Sequence, residues 1–175
     1  HVLASFDDCR LRAIRLPHNR GANYARNKGI LESSGVFVAF QDSDDYWFPE
    51  KLERQLQSCG SSGALICFCA HIRQGGARVP KATYRITPGR RNISMSLLYG
   101  SFVSNQTMLV HRSCFTHGTF DPDLGRLQDW ELCLRFSQIF DFHYLDEALV
   151  EVRAASNRIT SGASSYAVAL DRIIA

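Results

Sequence analysis

The stretch FVAFQDSDDYWFPEKLERQL, residues 37–56, sets three carboxylates, Asp42, Asp44 and Asp45, within four positions directly after an apolar run. Residues 36–41, VFVAFQ, are almost continuously β-branched, aromatic or small. Such a run predicts a strand covered on both faces, as in a parallel sheet. Pro49 suits the first turn of a following helix, with Glu50 and Arg54 spaced i to i+4 and Leu52 and Leu56 expected to face inward.

Three chemistries compete for the acidic cluster, beside the plain possibility of a solvated turn that caps the helix at Pro49. A calcium loop fits Asp42, Asp44 and Glu53, but Tyr46 and Trp47 stand where a ligand and the sharp-turn glycine are needed. A phosphotransferase of the haloacid-dehalogenase type would use Asp42 as nucleophile and Asp44 as acid. Tyr46 is then out of place, and no downstream lysine and acidic pair is evident. The third reading is a metal–diphosphate site at the carboxyl end of a parallel strand, where open α/β sheets place their ligands. Magnesium or manganese there needs only one or two carboxylates, water and phosphate oxygens.

Working outward, RLRAIRL (10–16) alternates polar and apolar residues and predicts a half-buried strand, and PHNRG (17–21) a turn. NYARNKGILES predicts a helix capped by Asn23 and stopped at Ser34-Gly35. GALICFCAHIR (63–73) predicts a strand, GGARVPKATYRI (75–86) an excursion with turns, ISMSLLYG (93–100) a short helix and NQTMLVHR (105–112) a strand. QDWELCLRFSQIF (128–140) carries Leu132, Phe136, Ile139 and Phe140 at helical spacing, and FHYL (142–145) and LVEVR (149–153) close the pattern as two strands. Strands alternating with helices predict an α/β layer architecture in one domain, residues 1–175.

Composition agrees. The chain has 175 residues, 45% of them hydrophobic, enough for one core. Its net charge is +3 and its pI near 8.6, with Arg10, Arg12, Arg15, Arg20 and Arg26 crowded into the first stretch. That face suits an anionic ligand or plain solvation, and no nucleic-acid partner is expected. Six cysteines lack the spacing of a zinc site or disulfide scaffold; Cys67 and Cys69 alternate on one strand face, as small hydrophobes. A reduced, cytoplasmic compartment and a soluble chain follow, since no apolar run approaches a membrane span. His18, His71, His111, His117 and His143 are dispersed without metal-ligand spacing.

The block LPHNRGANYARNKGILESSGVFVAFQDSDDYWFPEKLERQL, residues 16–56, resembles the family 2 glycosyltransferases: an N-x-G turn, an A-R-N-x-G helix and a strand ending in D-S-D-D. The likeness continues through NQTMLVHRSCF, FDPDLGRLQDWELCLRF and LVEVR. It implies the A-type glycosyltransferase fold, a mainly parallel, Rossmann-like sheet flanked by helices, and inverting transfer of a sugar from a nucleotide diphosphate to an acceptor hydroxyl. Residues 1–60 would form the remainder of the nucleotide-sugar half, ending in the DxD motif, and residues 61–175 the acceptor half.

By the same resemblance Asp42 contacts the ribose or uracil, Asp44 binds Mn2+ or Mg2+ bridging the diphosphate, Asp45 lies behind them, and Arg26 positions the donor or the aspartates. In LQDWEL, where the family usually has E-D-W, Asp129 is the general base. Gln128 replaces the usual glutamate, and Trp130 lines the acceptor pocket. From the residues alone, Asp129 reads as a helix cap and Trp130 as packing. The implied partners are a UDP-sugar and a glycan or lipid-linked acceptor, with peripheral association at the inner face of the membrane. Family members usually begin with a strand, helix and strand carrying D-D-G-S, and HVLASFDDCRLRAIRL resembles the helix tail and third strand that follow. A catalytically incomplete nucleotide-sugar-binding module is the alternative.

Overall fold

A computed structural model describes residues 5–80, 92–153 and 163–174. Its elements are α1 (Gly21–Glu32), β1 (Phe37–Ala39), β2 (Tyr46–Trp47), α2 (Lys51–Ser62), β3 (Ile66–Arg73), β4 (Arg78–Val79), α3 (Ser94–Leu97), β5 (Met108–His111), α4 (Gln128–Ser137), β6 (Phe142–Val152) and α5 (Ala163–Ile174). The six strands form one sheet in the order β1-β5-β3-β6-β2, with β4 on β3.

β3 is the spine, and residues 66–70 are fully buried. Because side chains alternate across a strand, Ile66, Phe68 and Ala70 enter the larger core with Ile30 of α1, Leu97 of α3 and Leu132 and Phe136 of α4. Cys67 and Cys69 enter the opposite face, with Cys59 of α2 and with Leu149 and Val150. Helices thus cover both faces, and all six cysteines are free thiols.

The sheet is mixed where a mainly parallel one was expected. Among the described residues only β3 and β6 pair in parallel; β5 lies antiparallel between β1 and β3, and β2 and β4 are antiparallel additions. The apolar run at β1 does reflect cover on both faces, since Val38 and Phe40 pack in the larger core and Phe37 and Ala39 in the opposite cluster. Burial on two faces does not fix strand direction. Even so, β1, β3 and β6 run the same way, so their carboxyl ends share one edge.

Other departures have local causes. Residues 10–16 form no strand; Leu11 and Ile14 are 50% and 44% exposed, and alternation alone makes no strand where neither face is covered. No helix precedes them among residues 5–9 apart from a single 3-10 residue at Ser5. Helix α1 starts two residues early, at Gly21, whose amide is held by the Asn19 side chain at 3.0 Å. Asn23 therefore lies inside the helix and is not its cap. Helix α2 buries Lys51, Gln55, Ser58 and Cys59, while Leu52 and Leu56 stay 42% and 46% exposed. Arg54 pairs with Glu147 at 3.7 Å, not with Glu50. Ile139 falls beyond the end of α4 and faces out.

The two closing strands are one, β6, whose polar middle is absorbed as register shifts against β3. Residues 105–107 are a 3-10 turn ahead of β5. The excursion after β3 contains β4, and its remainder, 81–86, lies outside the described residues. Helix α5 was not foreseen. In the basic first stretch, Arg10, Arg12 and Arg26 pair with Asp8, Glu32 and Asp42.

Candidate active site

The acidic cluster sits on the turn that leaves β1 at the shared carboxyl edge. Asp45 N–H donates to the Asp42 carbonyl at 3.3 Å, and the Gln41 amide closes the loop on the Asp45 carbonyl at 2.8 Å. The three carboxylates then differ. Asp45 is occupied on both oxygens, by the Gln106 amide and by Arg153 N–H at 3.0 Å, which ties the turn to β6. Asp42 is half-buried and accepts from the Arg26 guanidinium at 2.8 Å. Asp44 is exposed, and no described residue bonds to its carboxylate. Helix α2 has no side-chain cap, so the cluster is not there to start that helix. Nor is Asp42 an unencumbered nucleophile, as the dehalogenase-type reading needs.

Arg26 comes from α1, its side chain only 16% exposed and its guanidinium 5.8 Å from the Phe120 ring centre. Asn23, one turn earlier on the same helix, and Asn27, the next residue, reach across to the segment ahead of α4. Asn23 Nδ2 donates to the carbonyls of Asp121 and Leu124, both at 2.7 Å. Asn27 pairs both ways with the Phe120 backbone, donating at 2.8 Å and accepting at 3.0 Å. In the sequence, Asn23 reads only as a cap and Asn27 only as part of the A-R-N-x-G helix, with nothing of their bonds to residues 120–124 foreseen. The available signal was two asparagines, poor interior helix formers, four residues apart on one helix.

The segment delivers Asp129 in the first turn of α4, just after Leu127, which holds a left-handed backbone at φ 59°. A non-glycine residue there is uncommon, and such residues gather at functional sites. Asp129 accepts from Trp130 N–H at 2.9 Å. Its carboxyl is pushed above the ordinary aspartate range, chiefly by desolvation. Backbone hydrogen bonds and the Arg26 charge oppose that rise, and the Asp42 charge adds to it. Asp129 and Asp42, 87 positions apart in the sequence, therefore lie within electrostatic reach of each other and of Arg26.

The neighbouring carboxylate, Glu131, is held by Arg135, which also grips the Thr119 carbonyl at 2.7 Å. Trp130 spends its indole N–H on the Leu97 carbonyl at 2.8 Å and packs on the larger core, so it braces α4 against α3. Gln128 is half-buried beside Asp129. At the opposite edge of the sheet lies an open depression lined by Gly63, Leu65, Ile139 and Phe140.

For a divalent metal, no group of three histidine, cysteine or acidic side chains among the described residues forms a protein cage. A single open carboxylate, Asp44, suits instead an ion whose other positions are filled by phosphate oxygens and water. No helix among the described residues is long and apolar enough to cross a membrane.

The chain is 29% identical to TuaG of Bacillus subtilis, a glycosyltransferase assigned to teichuronic acid biosynthesis, over 88% of its own length and 61% of TuaG. It is 43% identical to WfgD of Escherichia coli, a UDP-Glc:alpha-D-GlcNAc-diphosphoundecaprenol beta-1,3-glucosyltransferase, over 29% of this chain and 20% of WfgD. Among solved structures, TarS 1–349 of S. aureus in complex with UDP-GlcNAc superposes with a TM-score of 0.71 at 19% identity, covering 84% of this chain and 43% of TarS. The chain thus spans less than two thirds of the length of each. The likeness to TarS establishes the A-type glycosyltransferase fold. The profile "Glycosyl transferase family 2" matches residues 1–118, and this chain belongs to that family.

Proposed function

We propose that this chain carries donor-binding and catalytic machinery of a glycosyltransferase that moves a sugar from a nucleoside diphosphate to a hydroxyl acceptor with inversion. The observation that carries the proposal is that Asp129, whose desolvation raises its pKa, lies within electrostatic reach of the Arg26–Asp42 pair at the carboxyl edge of the sheet. A general base works best when its pKa approaches the operating pH, and burial moves Asp129 in that direction.

In the reaction, the acceptor hydroxyl gives its proton to Asp129 while its oxygen attacks the anomeric carbon. The bond from that carbon to the diphosphate oxygen breaks on the opposite face, and the electron pair leaves with the nucleoside diphosphate. Arg26 fixes the Asp42 carboxylate, whose second oxygen is offered to the ribose or uracil. Asp45, held from both sides, keeps the turn in shape. Asp44 would hold Mn2+ or Mg2+, which supplies Lewis-acid stabilisation of the departing diphosphate. Gln128 and the edge of Trp130 border the acceptor. The residues to position 60 form the donor side and those from 61 onward the acceptor side of one domain.

The bound UDP-GlcNAc of TarS supports a UDP-sugar as donor. The names of TuaG and WfgD support a growing cell-surface glycan, lipid-linked in WfgD, as acceptor class. A nucleotide donor and a lipid-linked acceptor would meet on the cytoplasmic side of the membrane, which supports peripheral association there. Calorimetry of UDP binding tests the proposal: binding should be tighter with Mn2+ than with EDTA. Equal affinity in the two would remove the metal from the mechanism, and absence of binding in both would leave a module without donor chemistry.

A further inference from the structure

We infer that Asn23 and Asn27 are positioning residues that set the distance between the two halves of the site; this rests on the roles proposed above for Asp42 and Asp129. Residues on one helix four apart share a face, so Asn23 and Asn27 present one side of α1 to residues 120–124, with Arg26 between them in the sequence. Arg26 holds Asp42 on one side. The two asparagines hold residues 120–124 on the other, through the Phe120 amide and carbonyl and the Asp121 and Leu124 carbonyls. One helix therefore grips both carboxylate-bearing segments within a single turn.

The grip on 120–124 is a built one. Asn23 is 5% exposed, and two residues whose backbone the asparagines hold are anchored by their own side chains, Phe120 at 1% and Leu124 at 3% exposure. Buried carbonyls need donors, and an isolated helix face seldom offers them, since its backbone donors are spent internally. The Arg172 guanidinium of α5 closes the outer side of the same segment on Asp121 at 2.9 Å. A turn from Asp121 to Leu124 stiffens it, and only Gly125, Arg126 and Leu127 separate it from α4. A shift of the segment therefore carries Gln128 and Asp129 with it. A displacement of about 1 Å between reacting groups can lower a rate on the order of a hundredfold.

The test uses Asn27→Asp, which keeps size and the bond from Phe120 N–H but loses the donor, and Asn23→Ser, too short to reach both carbonyls. Ile30→Val, in the same helix but packed in the core, is the destabilised control. In the whole protein, kcat should fall about tenfold to a hundredfold in both asparagine variants while KM for the donor stays, and Ile30→Val should lower the melting temperature without that fall. Amide hydrogen exchange should quicken at residues 120–131 and stay unchanged in β3. Wild-type kcat in both asparagine variants, or exchange raised evenly through the molecule, overturns the inference. If the parent neither binds UDP with metal nor transfers sugar, the proposed function has failed, and the exchange pattern alone decides whether α1 positions Asp129.

Discussion

The Arg26 guanidinium and the Asp42 carboxylate meet at 2.8 Å, joining the middle of α1 to the turn that leaves β1. Their side chains are 16% and 34% exposed, so neither charge is well solvated and each depends on the other. Removing one partner of such a pair costs more than removing both, because the survivor is left partly buried and unpaired. A double-mutant cycle of Arg26→Met and Asp42→Asn should show a coupling of about 1–2 kcal/mol in unfolding free energy. Additive effects of the two substitutions would mean the pair is a surface contact without structural weight.

Asp44 is the contrasting case, an exposed carboxylate with no described partner. Asp44→Asn should leave stability within about 0.5 kcal/mol, as surface substitutions do. Donor binding in Mn2+ should weaken by about tenfold or more, since even partners one shell further out cost that much at metal sites. Binding measured in EDTA should be unaffected. A loss of affinity equal in Mn2+ and in EDTA would make Asp44 a direct nucleotide contact and not a metal ligand.

The acidic turn, the helix before it and the helix carrying Asp129 were legible because each is a local pattern: an apolar run, an i to i+4 face, carboxylates after a strand. What local pattern could not supply was partner choice. Nothing in the apolar stretch at β1 announces that β5 will lie against it in the opposite direction, 70 residues later. Leu52 and Leu56 were expected to be inside because leucine usually is, but α2 turns Lys51 and Gln55 inward, where Gln55 reaches the Thr107 carbonyl at 2.8 Å and satisfies it. Asn23 looked like a cap because asparagine favours caps; its partners at 121 and 124 are about a hundred residues away, beyond any local rule. The proximity of Asp42 and Asp129 was reached through family resemblance and not through spacing.

Lys51 offers a test of the opposite face of the sheet. It is 1% exposed, donates to Gln55 Oε1 at 2.6 Å, stands 4.0 Å from the Trp47 ring centre and has no carboxylate partner among the described residues. Desolvation lowers its pKa to about 8. An unfolded lysine holds its proton to about pH 10.4, so between those values the unfolded chain binds more protons and stability must rise with pH. Below pH 8 the buried ammonium is charged in both states, and its cost, on the order of 3 kcal/mol, is felt in full. Lys51→Met should therefore gain on wild type most at pH 7 and least near pH 10.5, with the other titrating groups common to both proteins. A difference between the two proteins that does not change with pH would show that water reaches this lysine.

Asp129→Asn separates the base from the cap. The substitution keeps the side chain's size and its Oδ1, which accepts from Trp130 N–H, but it cannot take a proton. General-base contributions run to about 10²–10⁴-fold, so sugar transfer should fall by that factor while metal-dependent UDP binding persists. Stability should move the other way. A carboxyl whose folded pKa is raised contributes stability that is present below the unfolded aspartate range and lost as pH rises through the folded value. Above the folded value wild type therefore carries a desolvated charge that asparagine removes, and there the variant should melt at the same temperature or higher; below about pH 4 that advantage should vanish. Slower transfer together with a lower melting temperature at pH 7 would point to a lost cap, and unchanged transfer would move the base to another carboxylate, with Glu131 the next to replace once its grip on Arg135 is released.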